Sequence, residues 1–310
     1  MKKVLFASTA LVAFSGAAVA DVALSGRAEM GVFDNGVEDL QFHTDIDVTF
    51  TMSGETDAGL TFGASVDLDE GGVGAGAVAD DTVAGGATIF VSGSFGTVTM
   101  GDTDDAMDWA LTEAGNIGNG GSIADNETGH AGYAGDYVGT NGQVLRYDYS
   151  FGDFAFAISV DDNDAAVAPA EDSDDLGYAV GLKYNLDLSG TGVALAIGYQ
   201  DDSGQVDSSA VGVSVTASFA NGFSAGAVYA DYSGAGAVRD SNFGIGIGYN
   251  TGALTLHANY GEIDAAGGGS VDGFGVSAAY DLGGGAVAHF GYGDDDVNDS
   301  TYSLGLGLSF

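Results

Sequence analysis

A chain of 310 residues with 45 Asp+Glu against six Lys+Arg, a formal net charge of −39, excludes nucleic acid as a partner on electrostatic grounds. Cysteine is absent, so disulfides and thiolate metal sites are excluded, and 54 Gly with a single Pro favour sheet with tight turns over helix. Such a charge often marks disorder, but 45% hydrophobic residues with regularly spaced aromatics argue against it here.

At the start of the chain, Lys2 and Lys3 precede an apolar run from Val4 that closes in Ala18-Val19-Ala20 before Asp21. This reads as a secretory signal peptide over 1–20, cleaved at an A-x-A site, with the mature domain spanning 21–310. The run is short for a membrane anchor and is broken by Ser8, Thr9 and Ser15. Losing Lys2 and Lys3 leaves four cations against 45 acids, a mature charge of −41. No later segment is apolar over the length of a spanning helix, so the mature chain is either soluble or crosses a membrane as strands.

From Asp21 onward one period dominates. Val22, Leu24, Ala28, Met30 and Val32 share one parity, while Ser25, Arg27 and Glu29 take the other. Phe42, Ile46, Val48, Phe50 and Met52 then alternate with His43, Asp45, Asp47, Thr49 and Thr51, which a helix would mix on one surface. The pattern recurs through Phe62/Val66, Ile89/Val91, Val98/Met100, Leu145/Tyr147, Phe156/Ile158, Val180/Leu182, Leu195/Ile197, Val213/Val215, Phe223/Tyr229, Ile245/Ile247, Leu254/Leu256, Phe274/Val276 and Phe290/Tyr292. It ends in Tyr302, Leu304, Leu306, Leu308 and Phe310. These segments predict an all-β fold, a sixteen-stranded antiparallel transmembrane barrel, large enough to leave an aqueous channel. Connections alternate between short and long, as periplasmic turns and outer loops do, and aromatics at strand ends suit the membrane boundary. Small residues on the lipid-side parity of the segment from Phe223 to Tyr229 predict packing against a neighbouring barrel.

The third long connection, 102–141, interrupts this rhythm. It opens Gly101-Asp102-Thr103-Asp104-Asp105, and Met107, Ala110 and Leu111 follow at the spacing of a short helix. Eight acids and no Lys or Arg lie in it. Loops of this length inside a compact domain are functional or disordered.

The Gly101-Asp102-Thr103-Asp104 start, the lone Trp109 and the terminal Phe310 resemble the bacterial trimeric general porins, in particular their alphaproteobacterial branch, over the whole mature chain. The resemblance implies that the third loop folds inward as a constriction facing a basic wall, that three barrels assemble, and that small hydrophilic solutes diffuse through passively. Carried over by position, Asp102, Asp104, Asp105, Asp108 and Glu113 form the acidic side of that constriction. It further implies residence in the outer membrane of a Gram-negative bacterium, among its lipid and lipopolysaccharide. Phe310 then sits at the periplasmic rim for recognition by the barrel-assembly machinery.

The basic side is where this chain departs from the family. By alternation Arg27, Arg146 and Lys183 point into the lumen, with Arg239 in a loop, but Glu29, His43, Asp45, Asp47, Asp67 and Asp69 share that wall, and Glu29 stands where it can pair with Arg27. Acids on both sides favour cations, so the expectation is a cation-selective channel. The alternative is a plugged structural or adhesion barrel whose acidic outer loops bind divalent cations or partners. Calcium or magnesium could be held structurally by Asp161, Asp162 and Asp164 or by Asp294, Asp295 and Asp296, although neither run has the spacing of an ordered calcium loop; no cofactor is otherwise required. His43, His257 and His289 are read as solvated wall residues, and no catalytic arrangement is discernible, so the chain is not read as an enzyme.

Overall fold

A computed structural model describes residues 21–37, 40–73, 79–80, 86–125, 127–133, 135, 143–162, 176–202 and 207–310. The signal segment 1–20, Asp164 and Asp136 of the long connection lie outside them. The strands are β1 (Asp21–Asp34), β2 (Gln41–Glu55), β3 (Thr61–Val73), β4 (Thr88–Gly93), β5 (Gly96–Gly101), β6 (Gln143–Phe151), β7 (Phe154–Asp162) and β8 (Gly177–Asp187). They continue as β9 (Gly192–Asp202), β10 (Ser208–Ser218), β11 (Phe223–Ser233), β12 (Arg239–Thr251), β13 (Leu254–Ala265), β14 (Ser270–Gly283), β15 (Ala286–Asp295) and β16 (Thr301–Ser309). Ala79–Asp80 adds a two-residue pairing to β3 at Glu70 and Gly71.

Each strand pairs antiparallel with its neighbours in sequence, and β1 also pairs with β16 from Arg27 opposite Ser309 to Asp34 opposite Tyr302. The Phe310 amide donates to the Gly26 carbonyl at 2.9 Å, extending that seam to the last residue. A closed sheet has no unpaired edge, which is the condition for backbone to cross hydrocarbon as strands.

Burial is inverted relative to a water-soluble protein. Leu24, Ile247 and Leu304 stand 64%, 60% and 58% exposed on the outside, while Gln200, Asn242 and Ser303 are buried on the inside. An apolar outer surface around a polar interior is the pattern of a barrel in lipid. The short turns are built as tightly as their length requires. In Ala220-Asn221-Gly222, Gly222 has φ +91, and the Asn221 side-chain oxygen accepts from the Phe223 amide at 3.2 Å.

Arg239 begins β12, opposite Ala265, and does not lie in a loop as the sequence reading expects. The acidic pairs likewise close strands: Asp161 ends β7 with its neighbour Asp162, and Asp294 and Asp295 end β15.

Candidate functional site

The long connection enters the barrel and lies along its inner wall. Its first element, α1 (Ala106–Ala110), is a single helical turn whose start is capped by Asp105: the carboxylate accepts from the Met107 amide at 2.6 Å and the Asp108 amide at 3.0 Å. Ala106, Met107, Ala110 and Leu111 are buried against β7, β8 and β9, and the Ser159 hydroxyl of β7 accepts from the Ala106 amide at 2.9 Å. A turn of 3₁₀ helix, Ala114–Asn116, follows against β11, β12 and β13.

Beyond it the chain continues round the wall. His257 of β13 hydrogen-bonds the Ile117 carbonyl through Nδ1 at 2.9 Å, and the Asn259 amide of β13 donates to the Thr128 carbonyl at 2.8 Å. Ser277 of β14 donates to Asn119 at 2.5 Å, and Nδ1 of His289 on β15 meets the Gly121 carbonyl at 3.1 Å. The Ala131 amide donates to Asp295 at 2.9 Å. The loop tip, Ile123, is 2% exposed and rests on Gly31 of β1 and Gly305 of β16.

A track of inward-facing glycines makes this bed. A Cβ on Gly198 of β9 would lie 2.6 Å from Met107 Cγ, one on Gly212 of β10 2.5 Å from Leu111 Cδ1, and one on Gly244 of β12 2.9 Å from Ala114 Cβ. At Gly181 of β8 it would strike the Ala106 carbonyl and lie 2.6 Å from Ala110 Cβ. At Gly291 of β15 it would lie 2.6 Å from the carboxyl carbon of Glu127. The loop backbone can reach the wall only where the wall has no side chains, so these glycines are set by close approach and not merely by strand alternation.

The predicted acidic residues divide accordingly. Asp102 and Asp104 are exposed, and Asp108 and Glu113 are half-buried. Glu113 accepts from Asn116 at 3.0 Å and from the Tyr133 hydroxyl. Asp105 is 3% exposed and serves as the helix cap, so it does not present its charge to the bore. Its burial pushes the carboxyl above the ordinary value, against the pull of the two capping amides.

The cations are tied to the root of the loop or to neighbouring acids. Arg146 donates to the Asp104 carbonyl at 2.5 Å and lies 3.7 Å from Asp148, while Lys183 sits 4.0 Å above the centre of the Trp109 ring. Arg27 pairs with Glu29, whose other oxygen lies 3.9 Å from His43 Nε2. Arg239 donates to the Gly135 carbonyl at 3.4 Å.

The histidines are not solvated wall residues. His43, His257 and His289 face inward as alternation requires, but all three are buried, two of them beneath the loop they bond. His130, within the loop, is also buried, and burial pulls its pKa down to about 4 against the opposing charge of Asp295.

In a ring of sixteen strands β3 stands half a turn from β11, across the bore from the middle of the loop. On this arc Asp45 and Asp47 of β2 and Asp67 of β3 face inward, with Asp67 accepting from the Thr49 hydroxyl at 2.8 Å. Gly31, under the loop tip, pairs with His43, so Asp45 and Asp47 lie two and four residues farther toward the short-turn rim, about 7 and 14 Å along the strand.

Asp295 is occupied as a tie: its carboxylate also accepts from the Val297 and Asn298 amides at 2.9 and 2.8 Å. Among the described residues no group of three or more His, Asp or Glu has the geometry to hold a metal ion. The residues that fasten the loop, Ile123, Glu127, His257, Asn259, Ser277 and His289, are absent from the predicted site; alternation turns His257 and His289 inward, and the glycine track around them marks where the loop lies.

The whole-chain comparisons agree with this geometry. The Gram-negative porin family profile matches residues 7–300. A Rhodobacter capsulatus protein named porin is 30% identical over 313 residues, covering 94% of this chain and 99% of that protein. A porin crystal structure superposes with a TM-score of 0.75 at 28% identity over 94% of this chain and all of its own. A Rhodopseudomonas blastica porin mutant has the same fold at a TM-score of 0.72 and 22% identity, again over 94% of this chain and all of its own. With a closed barrel, an inner loop and relatives matched end to end, the chain belongs to the Gram-negative porin family, and is an outer-membrane channel protein, not an enzyme.

Proposed function

We propose that this porin is a cation-selective channel for passive diffusion of small hydrophilic solutes and ions. The observation that carries the reading is the wall across from the loop: where the family resemblance calls for a basic strip, β2 and β3 present Asp45, Asp47 and Asp67. Of the cations, Arg27 is paired with Glu29, and Arg146 and Lys183 are held at the loop root. Negative groups on both sides of a low-dielectric bore raise the local cation concentration and the barrier to anions. Because the loop hugs the wall, this reading is favoured over a plugged adhesion barrel.

The test is the reversal potential of the purified protein in a planar bilayer under a KCl gradient. Wild type should prefer potassium, and D45N/D47N should lower the preference more than D104N alone. A chloride preference in wild type, or no response to D45N/D47N, would overturn the reading.

Assembly belongs to the same proposal. All 14 tyrosines lie at or after Tyr133, so the outward faces of β1 to β5 have none at their rims. Interfacial tyrosines belong where headgroups meet the barrel, and their absence over this arc supports its burial against other subunits of a homotrimer. Export through a signal peptide cleaved after Ala20 belongs to the same proposal, supported by Lys2, Lys3, the apolar run and Ala18-Val19-Ala20. Recognition of Phe310 by the assembly machinery is likewise proposed from its place at the short-turn rim, where it is 79% exposed.

A further inference from the structure

The outer surface carries an apolar depression of about 330 Å³ across β9 to β12, lined by Leu195, Val213, Val215, Ala227, Tyr229 and Phe243. Its floor continues in register: Ala227 lies between Val215 and Ile245, and Ala225 between Ala217 and Ile247. Ala225 and Ala227 are successive outward positions on β11, so the floor runs on along β11 toward the short turns, with Ile245 and Ile247 raised along its β12 side and Val215, but not Ala217, raised on its β10 side.

Aromatic pairs close both ends. Phe223 and Tyr249 pack with ring centres 4.4 Å apart at the short-turn rim, and Tyr229 lies opposite Phe243 at the other end. Six residues of strand are about 20 Å, or about 14 Å of depth at a tilt near 45°. That is one leaflet of an apolar band about 25 Å tall, on the side of the short turns.

We infer that this furrow holds a single acyl chain of a phospholipid from the periplasmic leaflet. A neighbouring barrel, the reading suggested by the small residues alone, fits the geometry poorly. The floor covers about 200 Å², against about 800 Å² per partner in a stable protein interface. Tyr249 of β12 at the short-turn rim, with Tyr199 of β9 and Tyr260 of β13 nearer the other rim, marks this sector as one that meets lipid headgroups. Transfer from lipid to such a site gains nothing from dehydration; the chain is retained because the alanines let it touch the floor and the Ile245–Ile247 ridge at once. The inference rests only on the barrel's place in the outer membrane, and is independent of ion selectivity.

The test uses the native protein in phosphatidylethanolamine vesicles containing a trace of phospholipid with a photoactivatable diazirine in its acyl chain. After illumination, labelled residues are mapped by mass spectrometry. Labelling should concentrate on 211–229 and 243–247, by about fivefold over the outward residues of β14 and β15. A225L/A227L, which fills the furrow, should abolish that enrichment and leave conductance and oligomeric state unchanged. Even labelling around the wild-type barrel would overturn the proposal, as would dissociation of the oligomer by A225L/A227L. If the double variant fails to insert, the wild-type labelling pattern decides alone.

Discussion

Replacing Gly181 by alanine adds one methyl group to the wall beneath α1. That methyl would strike the Ala106 carbonyl and lie 2.6 Å from Ala110 Cβ, so reaching the optimum of about 3.5–4.0 Å requires α1 to lift by about 1 Å into the bore. The helix turn is retained there by burial of Ala106, Met107, Ala110 and Leu111, worth about 5 kcal/mol as an upper figure. Overpacking costs about 1–3 kcal/mol, less than that burial, so the helix shifts and does not detach. G181A should therefore lower single-channel conductance modestly and reduce thermal stability in detergent, while the channel stays open. Gly192→Ala is the control, because a Cβ there meets nothing within 4 Å. If G181A and G192A match wild type equally in conductance and melting temperature, the loop does not rest on this wall, and the account of the glycine bed fails.

Two further outcomes follow from charge. With a formal net charge of −39, self-repulsion should make the barrel less stable at 10 mM than at 1 M NaCl, as the screening length falls from about 30 to about 3 Å; thermal melts in a nonionic detergent that show no rise with salt would refute this. His130, pulled down to about 4 from the unfolded value near 6.5, takes up a proton more readily when unfolded. Its contribution is therefore constant above pH 6.5 and is lost as pH falls from 6.5 to 4, by up to about 3 kcal/mol. H130Q should remove that portion of the acid destabilisation, measured as the melting-temperature difference between pH 6.5 and 4; an unchanged difference would count against it.

Strand alternation was readable because each strand carries its own information. Leu304, Leu306 and Leu308 declare their lipid face without reference to any other residue, and the pairing of β16 with β1 follows once sixteen such strands must close. The helix in the loop was also local, since Met107, Ala110 and Leu111 repeat at helical spacing after acids. The role of Asp105 was not, because capping and pore-lining use the same residue type, and only the amide geometry separates them. The loop's bed was harder still. Ile123 meets Gly31 and Gly305, and Asn119 meets Ser277, through contacts between residues far apart in a stretch of Gly, Asn and Ser with no period. By alternation Gly244, Gly246 and Gly248 are no more than the inward neighbours of Ile245 and Ile247, yet in the fold they lie under Ala114, Ile117 and Gly118. Buried histidines escaped for the same reason: parity gives the side of the wall, not what covers it.

The seat of Ile123 also sets an order of assembly. It touches Gly31 near the beginning of the barrel and Gly305 near its end, so its binding site does not exist until the first strand has met the last. The other fastenings need β13, β14 and β15 in place, strands made long after the loop itself. The loop is thus synthesised early and secured late. A barrel caught before closure would lack the seat of Ile123, so this contact of the loop forms only once the first and last strands have paired.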